Sequence, residues 1–88
     1  MIQPAPRPLT RRQREILLLA AAGHTNQQIG HRLRISAQGV NRVLGNAYNA
    51  LGAHDRAHAV ALAIWHGEIT LADLAAIAGN NQRQEAAA

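Results

Sequence analysis

Apolar residues recur along most of this chain at the three-to-four-residue spacing that gives a helix one buried stripe. Leu9, Ile16, Leu19 and Ala20 share a face of the first segment, Ile29 and Leu33 mark a second, and Val40, Leu44, Ala47 and Leu51 stripe a third. A fourth carries Ala57, Val60, Ala61 and Ile64, and a fifth, TLADLAAIAG, lines up Leu71, Leu74, Ala75 and Ala78. No segment alternates apolar and polar residues over several positions, so no strand competes. The ends agree with the stripes. Thr10 stands three residues before Gln13, Thr25 before Gln28 and Thr70 before Asp73, the spacing of reciprocal capping boxes and their near relatives. Ser36 and Asp55 are simpler N-caps, while Gly23, Gly52, Gly67 and Gly79 fall where the periodic runs stop. The expected fold class is all-α, with helices at 10–22, 26–33, 37–51, 55–66 and 71–78.

Around these helices the chain divides into a Pro-spaced leader at 1–8, expected to be flexible, a bundle at 9–69, an additional C-terminal helix at 70–79 and a tail, NNQRQEAAA, at 80–88, expected to be disordered. Only a few residues around RISA separate the second and third helices. A short helix, a tight turn and a longer helix make the helix-turn-helix plan.

Composition narrows the function. Eighty-eight residues make one small domain, and the absence of Cys leaves apolar packing to hold it together. The N-terminus has no signal-peptide run and no stretch nears the ~20 apolar residues of a membrane span, so a cytoplasmic protein with no membrane partner is expected. All nine basic residues are Arg, against five acids, for a net charge of +4. That balance favours a polyanion, although an Ala- and Arg-rich composition could also arise as a compositional habit. With no Phe, one Tyr and one Trp, the chain lacks the aromatic platforms on which single strands and RNA stack, which leaves duplex DNA.

From Leu9 to about Ile69 the chain resembles the DNA-binding domain of LuxR/GerE-type transcription regulators. The letters that carry the resemblance are LT at 9–10, REILLLAAAG at 14–23, TNQQIGHRLRIS at 25–36, Val40, LG at 51–52 and RAHAVALA at 56–63. The resemblance implies a four-helix LuxR-type helix-turn-helix bundle, here with a short extra C-terminal helix, whose third helix enters the major groove and whose fourth makes a two-fold dimer contact. The departures cluster in the third helix. Where the family usually shows Thr-Val-Lys-x-His, this chain has Gly39, Val40, Asn41, Arg42 and Val43, and a usual Lys before LG is Ala50. A hydroxyl, an imidazole and two ammonium groups are thereby missing.

Base reading would therefore fall to the polar side of that helix. Placing Val40 and Leu44 inward and stepping about 100° per residue puts Gln38, Arg42 and Asn49 opposite, flanked by Asn41, Gly45 and Asn46. Arg can fork to guanine O6 and N7, and Asn or Gln can bind adenine N6 and N7. By position, Asn41, Arg42 and Gly45 match where the family's base readers lie. Solvation of an exposed face is the plainer reading of these side chains. Asn and Gly are poor choices for helix stability alone, with Gly about 1 kcal/mol worse than Ala. Gly45 reads equally as room for close approach to DNA or as tolerated weakness. Phosphate contacts are expected from Arg11, Arg12, Arg14, Thr25, Asn26, Arg32 and Arg34.

No enzyme is expected, because Glu15, Asp55, Glu68, Asp73 and Glu85 are scattered and no nucleophile has a recognisable setting. No cofactor is expected, and His54, His58 and His66 read as solvated histidines rather than a zinc face. Leu62 and Trp65 form an apolar edge on the fourth helix, assigned to a homodimer contact. The alternative reading is a protein-interaction module that keeps the fold but binds a regulator or polymerase subunit, supported by Leu18 opposite the core stripe and by the same Leu62–Trp65 edge. With no receiver or ligand-binding domain ahead of Leu9, regulation is expected to be constitutive or supplied by a protein partner.

Overall fold

The computed structural model describes residues 7–77. Its element order is α1 (Arg11–Ala21), α2 (Asn26–Leu33), α3 (Ala37–Leu51) and α4 (Arg56–Trp65), followed by α5 at 71–77. The expected ranges differ from these chiefly by including capping residues. The expectations for residues 1–6 and for the 80–88 tail, and the place of Gly79, lie outside the described residues.

Each helix begins where a side chain can accept an N–H that has no partner within the helix. Thr10 Oγ1 accepts from the Gln13 N–H at 3.1 Å while Gln13 Oε1 accepts from the Thr10 N–H at 2.9 Å. Thr25 and Gln28 repeat the box at 3.1 and 2.9 Å, and Thr70 with Asp73 closes a third at the start of α5. Ser36 and Asp55 cap α3 and α4 singly, accepting from Gly39 at 2.9 Å and His58 at 2.8 Å. Gly23, Gly52 and Gly67 follow α1, α3 and α4 with positive φ. Of α1 to α4, α2 alone stops without a glycine: Arg34 takes the left-handed conformation at φ 61°.

The core is one cluster in which α3 packs chiefly against α2 and α1, with α4 closing the bundle. Ile16, Leu17, Ile29, Val40, Leu44 and Ile69 are its largest fully buried side chains. Three sequence expectations change. Leu17, off the expected α1 stripe, is buried because α1 touches α2, α3 and α4 and so hides a wider arc than one stripe. On α4 the inward residues are Ala59 and Ala63; Ala57 and Ala61 are exposed, and Val60 and Ile64 are half-buried. Methyl side chains at a helix contact let the axes approach closely, so the largest residues need not mark the buried side. On α5, Leu71 and Ala75 are exposed while Ile77 packs on the core, so this helix folds back onto its own domain.

A polar clasp joins the two ends of the bundle. Glu68 Oε2 accepts from the Leu9 N–H at 3.2 Å and from Arg14 Nη2 at 3.4 Å, and the next residue, Ile69, is buried. Among the described residues no helix is long and apolar enough to cross a membrane.

Candidate nucleic-acid interface

The turn between α2 and α3 sets the site. The Ile35 N–H donates to the Gly30 carbonyl at 2.9 Å, which brings the chain back against α2 immediately before Ser36 starts α3. A Cβ at Gly30 would stand 2.5 Å from the Ile35 carbonyl oxygen, so the turn closes only around a bare backbone. α3 is thereby held with Val40, Leu44, Ala47 and Leu51 buried.

Its other side carries every residue expected to read bases. Gln38, Asn41, Arg42, Asn46 and Asn49 are exposed and Gly45 is half-exposed, with open space where its Cβ would be. Among the described residues Arg42 forms no ion pair. Three of the four positions that lack the usual family group have a role inside this fold, and Asn41, which is exposed, does not. Val43 is half-buried against the core, and Ala50 is 3% exposed, so these two positions serve packing here. At Gly39 a side chain would press to 3.2 Å on the Ser36 hydroxyl that caps the helix.

The residues expected on phosphates fall into different situations. Arg11, Arg32 and Arg34 are exposed, and Arg12 is exposed with Nη1 2.9 Å from Glu15. Arg14 is turned to Glu68 and to the Leu9 carbonyl at 3.5 Å, a tie within the fold. Thr25 is exposed, but its hydroxyl caps α2. Asn26 is half-buried, its carbonyl oxygen held by Arg56 Nη2, while Arg56 Nη1 donates to the His24 carbonyl at 3.2 Å. Occupying the oxygen of Asn26 leaves its amide N–H groups as the free end. Arg56, not among the expected site residues, thus fastens α4 to the start of α2. Its only trace in the sequence is its place at the head of RAHAVALA.

The acids lie elsewhere. No carboxylate occurs between Glu15 and Asp55, a span that contains Arg32, Arg34 and Arg42. Glu15 and Glu68 pair with Arg12 and Arg14, and Asp55 and Asp73 cap α4 and α5. The stretch from α2 through α3 is therefore positive by composition and contributes no carboxylate to repel an anion. The histidines have local roles: the His54 N–H donates to His58 Nδ1 at 3.1 Å, the two rings stack at 5.2 Å, and His66 follows α4 as its C-cap. Among the described residues no group of three His, Asp or Glu is placed to hold a metal ion.

Among the described residues, Trp65 and Leu71 are the exposed large apolar side chains, at 61% and 70%. Leu62 and Leu18 are half-buried and pack against the core. Neither therefore stands free in the way the sequence pattern suggested.

The family description "Bacterial regulatory proteins, luxR family" matches residues 7–63. The transcriptional activator protein BjaR1 of Bradyrhizobium diazoefficiens is 41% identical over 69 residues, covering 75% of this chain and 28% of that protein. The probable transcriptional regulatory protein SgaR of Hyphomicrobium methylovorum is 50% identical over 54 residues, covering 61% and 26%. The response regulator protein VraR of Staphylococcus aureus is 39% identical over 61 residues, covering 69% and 29%. The chain thus spans less than a third of the length of these curated relatives. With the match running from the leader through the glycine-closed turn and into α4, the chain belongs to the luxR family of bacterial regulatory proteins, whose helix-turn-helix domains are DNA-binding regulatory modules and not enzymes.

Proposed function

We propose that the chain regulates transcription by laying α3 in the major groove of duplex DNA, with Arg42 as the principal base reader. Gln38 and Asn41 stand beside it, and Gly45 allows close approach. The observation that carries this is the outer side of α3: exposed, polar, free of carboxylates and held rigidly by the Gly30 turn. Arg11, Arg12, Arg32, Arg34 and the amide of Asn26 flank that surface as phosphate contacts, whereas Arg14 acts mainly inside the fold. The chain pairs as a homodimer through Trp65, with Leu62 supporting it from the core side, and reads two half-sites about one helical turn, roughly 34 Å, apart.

Selection of bound sequences from random duplexes, followed by titration against salt, tests the reading. An inverted repeat should emerge, and log affinity should fall linearly with log salt. Failure to enrich any sequence over the random pool would overturn it. The exposure of Trp65 and Leu71 favours a second reading, in which the domain keeps the fold and docks on a regulator or polymerase subunit rather than on DNA. Sedimentation tests the pairing. A wild-type monomer at micromolar concentration, or a dimer indifferent to Trp65→Ala, overturns the homodimer contact at that edge.

A further inference from the structure

Residues 7 and 8 of the leader, the start of α1 and the last turns of α3 surround a cleft of about 390 Å³. Arg7, Pro8, Thr10 and Gln13 line it from the leader and α1, and Asn46, Asn49 and Ala50 from α3. The Arg7 N–H donates to the Ala50 carbonyl at 3.2 Å, so the guanidinium stem rises from a point anchored on α3. Each polar side chain of the cleft can donate a hydrogen bond to a guest. Gln13 Oε1 accepts the Thr10 N–H, and the amide N–H groups of Gln13 remain to donate to a guest. Thr10 Oγ1 accepts the Gln13 N–H, and its hydroxyl hydrogen can still donate. Arg7 has donors alone, and no carboxylate lines the cleft.

Such a set suits a guest that is anionic and only accepts hydrogen bonds, as the oxygens of a phosphodiester do. Asn46 and Asn49 belong at once to this cleft and to the exposed side of α3, so the cleft opens beside the surface assigned to the groove. We propose that it seats one backbone phosphodiester at the edge of the groove that α3 enters. Arg7 is the counter-charge, and the amides of Gln13, Asn46 and Asn49 are the donors. The inference rests on the DNA-reading function above. It moves Asn46 and Asn49 from reading bases to fixing the register of the helix, and it gives Arg7 a site of its own.

The test uses the full chain and a duplex obtained by selection, with a neutral methylphosphonate placed at one position at a time. One position per half-site should weaken the wild type about tenfold. Gln13→Glu keeps an oxygen for the Thr10 N–H and therefore the cap, but turns the donor into an anion. It should bind every sequence about tenfold more weakly at low salt with no loss of melting temperature, and the sensitive methylphosphonate should no longer weaken it. Arg7→Ala should lower the log–log salt slope by about one. Asn49→Ala should weaken all sequences alike. Wild-type affinity in a folded Gln13→Glu protein, or a changed selected sequence for Asn49→Ala, would overturn the cleft while leaving α3 as the reader. A wild type that enriches no sequence would overturn the DNA reading itself, and the cleft with it.

Discussion

Gly30 and Gly45 belong to the same motif and answer to different requirements. At Gly30 the protein itself forbids a side chain, since any Cβ would be driven to 2.5 Å from a backbone oxygen that cannot turn aside. At Gly45 a Cβ would meet nothing within 4 Å, so nothing inside the domain asks for glycine in a helix interior. The turn is explained by the fold, and the outer side of α3 is not. A residue that lowers stability without an internal reason directs attention to what binds from outside.

The comparison can be broken most severely at the turn. Gly30→Ala should lower stability by about 2 kcal/mol or more, because overpacking a fixed backbone contact outweighs the roughly 1 kcal/mol that Ala gains in helix propensity. A melting temperature lowered by roughly 10 °C in calorimetry would fit, and an unchanged one would show that the turn yields. Arg42→Ala probes the other region. It should leave melting unchanged, cost about 1–3 kcal/mol in binding the selected duplex and relax preference at one base pair. Equal loss on every sequence would make it a phosphate contact.

Gly45→Ala sharpens the contrast because it should act in opposite directions on the two properties. Stability should rise by about 0.5–1 kcal/mol, and binding should fall if the bare backbone lies against DNA. A rise in stability with unaltered affinity would reduce Gly45 to tolerated weakness. The smallest effect is expected at Arg12. Its exposed pair with Glu15 contributes only a few tenths of a kcal/mol to folding, so Arg12→Ala should be seen mainly as a salt slope lower by about one, the same for all sequences.

What the sequence made legible was local. Thr10, Thr25, Ser36, Asp55 and Thr70 announce their helices because a cap is a contact between residues three apart, and the stripe of α3 follows from one period held over 15 residues. The surprises come from distance. Arg34 ends α2 in a conformation usually left to glycine, and nothing in its side chain announces that. Ala59 and Ala63, rather than Val60 and Ile64, face inward because the choice is made by neighbours far away in sequence. Arg56 reaches residues 30 and 32 positions away, and the Arg14–Glu68 pair spans 54, distances at which no periodicity operates. At the site, the exposed side of α3 was readable from the helical period, whereas the cleft was not, because its walls come from segments about 40 residues apart that meet only when folded.

The clasp on Glu68 has an architectural consequence. Because the backbone amide of Leu9 and the carboxylate of Glu68 lie 3.2 Å apart, the segment entering α1 and the segment leaving α4 are neighbours in space. A unit whose ends meet behaves as a cassette: it can be spliced into an exposed loop of an unrelated host, or closed head to tail and reopened elsewhere, with little rearrangement inside. New termini cut in the 22–25 connection between α1 and α2, with Leu9 joined by a flexible linker to the end of α5, should give a circular permutant that keeps its helices and its clasp.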